Sequence, residues 1–268
     1  MSLPFLIMFT VALGLLAGIM AGLLGLGGGT VIVPVLFGLF REMQIAANIA
    51  MPMALATTLA VVVITTAGAA ISHGRIGNPV WPLIKRYLPW LMLGAFVASQ
   101  IAGRVNEQWL VWIFPLFLLY VAARLSGLLP LKPREYLPLA IWRQCAFAFF
   151  FGNLAIFLGL AGGIFIVPHL VNHHKLSMAQ AIGTATVCGT GTAFMGMVGY
   201  MLYTAPVHGL PGGSIGYVYW PAVLVIGISG LLTAPLGAHL AKKLPDIIVK
   251  RIFAVMLVMI AISMWVGS

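Results

Sequence analysis

The sequence predicts an all-α polytopic membrane protein with about eight transmembrane helices, arranged as two repeats of four. Three observations lead to this prediction. The 268 residues are 62% hydrophobic and only 7% charged, with a mean hydropathy of +1.11. Runs of about 20 apolar residues recur along the whole chain, and a glycine-proline segment occurs twice. Such a chain has too few charges for the surface of a soluble domain, and its unbroken apolar runs differ from the alternating strands of a transmembrane barrel.

Each predicted half contains four long apolar elements. They cover 4–24, 45–71, 80–102 and 108–128 in the first half, and 139–158, 178–202, 217–241 and 247–266 in the second. A shorter apolar stretch follows the first element of each half, at 30–40 and 164–171. At about 1.5 Å per residue these stretches are too short for a ~30 Å hydrocarbon core, so we expect half-helices or re-entrant segments. The first repeat is 1–128, the linker 129–138 and the second repeat 139–268.

The duplicated segment is the main evidence for two repeats. Residues 25–36 and 159–170 align at an offset of 134, and eight of the twelve positions are identical. Trp81-Pro82 and Trp220-Pro221 align at an offset of 139, because a loop at 203–217 is longer than its counterpart. The recurrence also indicates that the apolar N-terminus is a structural helix and not a signal peptide. Since the substrate site of a duplicated transporter usually lies at the repeat interface, we expect it there.

The glycines of this segment predict an anion site. Clustered glycines break a helix, allow positive φ and leave backbone N–H groups uncovered. The following short helix directs its partially positive N-terminus at the break, with Pro34 or Pro168 expected in its first turn. The predicted substrate contacts are Gly27, Gly28, Gly29, Thr30, Gly162, Gly163 and Ile164. The alternative role of glycine is close helix packing, which the GxxxGxxxG spacing of Gly14, Gly18 and Gly22 indicates for the first element.

Further polar side chains are candidates for the same site. They are Asn48 in the second element, His169 beside Pro168, and Thr184 and Thr186 in the sixth element. A threonine hydroxyl donates to an oxyanion or back to its own helix, and a buried asparagine pairs with another helix or with a ligand; both alternatives stay open. A lone histidine is more often structural than ligand-binding. His173 and His174 are expected at the exposed end of a loop.

Several other classes of function lack their usual signatures. Cys145 and Cys188 have no disulfide or metal spacing, and the scattered histidines do not indicate a haem or metal site, so we expect no cofactor. The sequence shows no catalytic dyad and no CxxC motif, so an enzyme is not expected. The net charge of +10 comes from residues spread over loops and helix ends, which is typical of contact with anionic lipid and not of nucleic-acid binding. Counted over eight spans, seven of the fourteen Lys and Arg fall on each side, so the orientation is not predicted.

The acidic residues limit the energetics of transport. Glu42, Glu107, Glu135 and Asp246 all fall at loops or helix ends. Without an intramembrane carboxylate, two alternatives stay open. Either transport needs no carboxylate relay for protons, or a histidine or the substrate itself carries the proton. A cell interior negative by ~100 mV drives one exported negative charge with about 2.3 kcal/mol, so the sequence favours anion efflux.

The glycine-proline segments resemble those of a known family. Residues 25–34, 159–168 and the Ala-Ile-Gly-Thr-Ala-Thr run at 181–186 resemble the TauE/SafE sulfite exporter family, also called the toluene-sulfonate uptake permease family, and the resemblance covers essentially the whole chain. The first half departs from the family pattern at 48–52, where Asn-Ile-Ala-Met-Pro replaces the expected Gly-Thr step. The resemblance implies a multi-pass transporter in the plasma (inner) membrane for small sulfur-containing anions, such as sulfite, sulfoacetate, thiosulfate or organosulfonates. Uptake of another small organic anion is the main alternative, an intramembrane redox or haem protein is a weaker one, and a homo-oligomer is compatible with the sequence.

Overall fold

The computed structural model describes residues 3–24, 28–76, 79–102, 105, 107–126, 140–203, 209–243 and 246–266. Within these ranges the chain forms ten α-helices and one short hairpin. The helices are α1 (Leu3–Leu24), α2 (Gly29–Glu42), α3 (Ala47–Ile76), α4 (Trp81–Ala102), α5 (Glu107–Leu125), α6 (Ile141–Phe157), α7 (Gly163–His174), α8 (Met178–Met201), α9 (Trp220–Lys243) and α10 (Asp246–Val266). The strands are β1 (Ser214–Ile215) and β2 (Val218–Tyr219).

The structure confirms a mostly helical, apolar chain. By length and composition, two segments of the described ranges are long and apolar enough to cross a bilayer, Asn48–Ile71 in α3 and Ala179–Met201 in α8. Shorter apolar stretches are Thr10–Ile19, Val111–Ala123, Ile141–Phe157, Trp220–Thr233 and Ala254–Met264. The number of eight spans stays a prediction.

Helices α2 and α7 are the short helices expected after the glycine segments. They contain 14 and 12 residues, about 21 and 18 Å at the usual rise, which is well short of a ~30 Å core. Pro34 and Pro168 lie in the second turn, so the expectation of a first-turn proline was wrong. Because proline has no N–H, each leaves a carbonyl four residues earlier, that of Thr30 or Ile164, without its helical donor.

The hairpin departs from the predicted all-α fold. It lies at the end of the longer loop of the second half, and Gly213 and Gly216 adopt the left-handed φ values of 88° and 55° beside its strands. Val218 is buried, and the Tyr219 N–H donates to Oγ1 of Thr57 at 3.1 Å, which holds the hairpin against α3. Strands of two residues are too short to show an alternating pattern, so the sequence did not predict them.

Helices α3 and α8 pack together at the centre in antiparallel directions. All of residues 49–62 of α3 are buried. The hydroxyl oxygens of Thr66 and Thr190 are 3.0 Å apart. Earlier on α3, Leu59 lies against Gly196, with its Cδ1 3.1 Å from the position of an added Cβ. Rising residue numbers on α3 therefore meet falling numbers on α8.

Four other helix pairs run parallel, α1 with α9, α3 with α9, α4 with α6, and α4 with α8. Two contacts fix the direction of each pair. They are Gly14–Ser229 and Gly18–Thr233 for α1 with α9, and Ile64–Gly227 and Gly68–Leu231 for α3 with α9. They are Tyr87–Gln144 and Leu91–Gly152 for α4 with α6, and Leu88–Gly191 and Ser99–Gly199 for α4 with α8. Glycines at these crossings allow backbones to approach closely. An added Cβ at Gly18 would clash with the carbonyl oxygen of Gly230.

These directions define two ends of the bundle. Helices α4, α6 and α8 begin at the end where α3 and α7 finish, which we call the α7 end. Helices α1, α3 and α9 begin at the opposite end, which we call the hairpin end, where α2, α4 and α8 finish. The pair α1–α2 therefore starts and finishes at the hairpin end, and the pair α6–α7 starts and finishes at the α7 end.

Candidate functional site

The glycine loop before α7 lies against the first half of the chain. Gly159 has a φ of 59°, and a Cβ added there would lie 2.5 Å from Cγ2 of Val33 and 3.2 Å from Cδ2 of Leu55. A Cβ added at Gly29 would clash with the carbonyl oxygen of Gly159. The two predicted loops are therefore neighbours. Gly27, a predicted contact, lies outside the described residues.

The two short helices begin in the same way but face different surroundings. Gly28 and Gly162 are their N-caps, with left-handed φ values of 70° and 77°. At the start of α2, the carbonyl of Gly159 covers Gly29, and Thr30 is buried. At the start of α7, a Cβ added to Gly163 would meet no described atom within 4 Å. Among the described atoms, the Cβ position of Gly163 is therefore open, whereas that of Gly29 is covered.

The N-terminus of α7 presents unpaired backbone donors. The first amides that bond within the helix are those of Phe165 and Ile166, which donate to the carbonyl of Gly162 at 3.0 and 3.2 Å. The N–H groups of Gly163 and Ile164 donate to no carbonyl in the part of the chain that is described. They are the orphan donors of a helix start, and they carry its partial positive charge.

Two positions near the loops were missed by sequence reasoning. Thr58 of α3 is fully buried, its methyl carbon is 3.8 Å from an added Cβ at Gly159, and its hydroxyl has no partner among the described residues. Gly189 of α8 packs on the carbonyl oxygen of Ala161, 2.5 Å from the position of an added Cβ. Thr58 aligns with Thr192 at the offset of 134, and this match could have identified it.

Three predicted contacts lie away from the loops or bond to the protein. Asn48 is exposed near the start of α3, at the opposite end of α2 from Gly28. The Thr184 hydroxyl accepts a hydrogen bond from the Val80 N–H at 3.0 Å. The Thr186 hydroxyl donates to its own helix at 2.7 Å. Substrate contacts by these three residues stay predictions.

His169 belongs to a polar cluster built from three helices. The Tyr87 hydroxyl of α4 lies 2.8 Å from Nε2 of His169, 2.8 Å from Nε2 of His174 and 3.1 Å from Oε1 of Gln144. Arg86 donates to the same Gln144 oxygen at 3.4 Å. We call Tyr87, Gln144, His169 and His174 the Tyr–His cluster. It lies at the α7 end, where α4 and α6 begin and α7 finishes.

The histidines of the cluster are surrounded by aromatic rings and are partly or fully buried. His169 is buried and stacks on Phe147, with ring centroids 3.8 Å apart. His173 and His174 are half-buried at the end of α7, so the expectation of an exposed loop end was wrong. Burial lowers the pKa of His174, and the nearby Arg86 and His173 lower it further, so its ring is neutral at pH 7.

An apolar helical bundle in which two glycine loops meet is typical of a membrane transporter. The chain belongs to the TauE/SafE family, because it matches the family described as "Sulfite exporter TauE/SafE" over residues 10–264. Membership confirms the resemblance and identifies a membrane transporter rather than an enzyme. No group of three metal-ligating side chains occurs in the described ranges.

Relatives in distant organisms cover nearly the whole chain. A "Probable membrane transporter protein" of Haemophilus influenzae is 33% identical over 261 residues, covering 97% of this chain and 98% of that protein. YunE of Bacillus subtilis, with the same description, is 23% identical over 272 residues, covering 93% and 94%. MJ0441 of Methanocaldococcus jannaschii is 27% identical over 241 residues, covering 87% and 86%. No solved structure matches the chain.

Proposed function

We propose that the protein is a secondary transporter that exports small sulfur-containing anions, such as sulfite, sulfoacetate, thiosulfate or organosulfonates, across the plasma membrane. The N-terminus of α7 carries this proposal. There the amides of Gly163 and Ile164 donate to no carbonyl among the described residues, and a Cβ added at Gly163 would meet no described atom within 4 Å, on a loop that contacts helices of the other half. Main-chain donors with a partial positive charge suit an oxyanion, and no buried Lys or Arg is needed. The family description supports the substrate class and the direction.

The helix contacts support two inverted repeats, with α1–α5 in one and α6–α10 in the other. Three of the main helix contacts have counterparts in the other half: α1 packs on α9 and α6 on α4, α2 on α3 and α7 on α8, α3 on α9 and α8 on α4. The central counterparts α3 and α8 are antiparallel, so one half is inverted relative to the other. Inverted halves suit alternating access, because exchanging their conformations moves the opening from one face to the other.

The same arrangement supports an orientation in the membrane. If α1–α2 and α6–α7 are re-entrant pairs, ten of the eleven Lys and Arg among the described residues belong to the α7 end: Arg75, Lys85, Arg86, Arg124, Arg143, Lys175, Lys242, Lys243, Lys250 and Arg251. Arg41 belongs to the hairpin end. The positive-inside rule then assigns the α7 end to the cytoplasm. The earlier tie arose from counting each re-entrant pair as a crossing.

A bulky side chain at Gly163 tests the anion site. Leucine fits there without a positive-φ penalty and fills the space beside the amides. Gly38 of α2 is the matched control, because a Cβ added there also meets no described atom within 4 Å and the position is exposed. We expect a sulfur anion at 100 times its dissociation constant to stabilise the wild type and Gly38→Leu by about 2.7 kcal/mol. Gly163→Leu should fold but show no such gain and no flux in proteoliposomes.

The outcomes of this experiment separate the site from the substrate. Wild-type flux by Gly163→Leu would remove the α7 N-terminus as the site. A wild type that binds and moves none of the sulfur anions would overturn the proposed substrate class.

Thiol labelling tests the orientation. Lys175 and Gly212 are exposed at the α7 end and at the hairpin end, respectively. In a background without Cys145 and Cys188, a membrane-impermeant maleimide added to intact cells should label Gly212→Cys. It should label Lys175→Cys only after the membrane is opened. The reverse pattern would contradict the assignment.

A further inference from the structure

We propose that the Tyr–His cluster binds a proton, and that this proton strengthens anion binding at the N-terminus of α7. The linkage rests on the proposed anion site, whereas the cluster itself rests on its own geometry. The cluster lies between the α7 end of the bundle and the glycine loop. It shares α7 with the proposed anion site.

Hydrogen-bond accounting fixes the tautomers of the resting cluster. The Tyr87 hydroxyl has one proton and three neighbours within 3.1 Å. Oε1 of Gln144 only accepts, and Arg86 already donates to it, which supports the assignment of that atom as oxygen. The Tyr87 proton therefore goes to Gln144. Both histidines then donate from Nε2 to the Tyr87 oxygen, which has two lone pairs for them.

This arrangement leaves a vacant basic nitrogen on each ring. With Nε2 protonated, a neutral imidazole has an unprotonated Nδ1. Neither Nδ1, of His169 or of His174, has a hydrogen-bond partner in the described ranges. The cluster can therefore take up a proton at Nδ1 without breaking a hydrogen bond of Tyr87. Half-buried His174 lies nearer the α7 end, and His169 lies nearer the glycine loop.

The other charged and titratable groups around the cluster oppose this proton when the anion site is empty. They are Arg86 of α4, Cys145 of α6, His173 of α7 and Cys188 of α8. Arg86 carries a guanidinium, which is a cation in proteins, and none of these four groups is a carboxylate. The missing negative charge is the one that the bound anion would supply.

The distance along α7 sets the size of the linkage. His169 follows Gly163 by six residues, which is about 9 Å along a helix. At an effective dielectric constant of about 20, opposite unit charges at that distance change an equilibrium constant about 20-fold. By reciprocity, a proton on His169 strengthens anion binding about 20-fold, and the anion strengthens proton binding equally. An exporter with this linkage takes up its anion more tightly as the cytoplasm becomes acidic.

Calorimetry on the purified full-length protein tests the linkage. Thiosulfate is the probe, because its charge does not change between pH 6 and pH 8. We expect the wild type to bind it at least twofold more tightly at pH 6 than at pH 8, and to take up protons on binding, measured in buffers of different ionisation enthalpy. Tyr87→Phe and His169→Gln should bind with less than a twofold pH effect and without proton uptake. Tyr120→Phe, which removes the hydroxyl of an exposed tyrosine of α5, should behave as the wild type.

Two results would overturn the proposal. One is a wild type that binds thiosulfate without proton uptake, and the other is a His169→Gln variant with the full pH effect. If thiosulfate does not bind at all, the proposed substrate fails, and the cluster is tested without it by nitrogen NMR of labelled histidines. That spectrum should show His169 and His174 protonated at Nε2 in the wild type and disturbed in Tyr87→Phe. Protonation at Nδ1 in both rings would refute the assignment of the two histidine tautomers.

Discussion

Replacing Gly162 with alanine tests the backbone geometry on which the α7 N-terminus depends. Gly162 is the N-cap of α7 with a φ of 77°, and a Cβ added there would make only ordinary contacts, 3.6 Å from Ala155 and Ile166. The cost of alanine is therefore the left-handed backbone itself, about 1–2 kcal/mol. Gly28→Ala, at a φ of 70°, should cost about the same. Gly162→Asn should recover part of the loss, because asparagine tolerates this conformation better.

Reversible unfolding in mixed micelles measures the effect, and Gly38→Ala is the control. Gly38 lies inside α2 with ordinary φ and open space around it, so alanine should stabilise the helix by about 0.5–1 kcal/mol. The two alanine variants should thus change the free energy of unfolding in opposite directions. The reasoning fails if Gly162→Ala is as stable as the wild type, or if it is destabilised no more than Gly162→Asn.

Three further predictions follow from particular contacts. Thr58→Val should raise the free energy of unfolding by about 1–3 kcal/mol, because it removes a buried hydroxyl that has no partner among the described residues. The same change should weaken anion binding, and unchanged binding in calorimetry would exclude that hydroxyl as a ligand. Gly199→Ala should destabilise the protein by about 1–3 kcal/mol, because the added Cβ would clash with the Ser99 side chain. Adding Ser99→Gly should restore most of this loss, and additive losses in the double variant would contradict the contact. The double variant Thr66→Cys, Thr190→Cys should form a disulfide on mild oxidation, because the two hydroxyl oxygens are 3.0 Å apart. The absence of this cross-link on a gel would contradict the antiparallel packing of α3 on α8.

The asymmetry between the two glycine loops could not be predicted from their sequences. Gly28-Gly29 and Gly162-Gly163 are identical pairs with nearly the same N-cap conformation. They differ in the atoms that the tertiary structure places beside them. The carbonyl of Gly159 covers Gly29, whereas no described atom lies within 4 Å of an added Cβ at Gly163. From the sequence alone, substrate contacts are therefore predicted equally for both loops.

The polar candidates show a second limit of sequence reasoning. Threonines on a helix were expected to face a substrate or to bond to protein, and only the packing shows that Thr184 accepts from Val80 and Thr186 donates to its own helix. His169 was chosen for its place beside Pro168. Its partner Tyr87 is 82 residues away in sequence, so no local motif connects them.

By itself, the sequence determined that the chain is helical, apolar, duplicated and broken by glycine before each short helix, because composition, periodicity and local backbone freedom are properties of neighbouring residues. The directions of the helices, the contact between the two loops and the Tyr–His cluster were decided only by the tertiary structure. Each of them depends on residues that are far apart in the chain. The sequence of an apolar run also does not show whether its helix crosses the bundle or turns back within it. That ambiguity is the reason the Lys and Arg count over eight spans gave a tie.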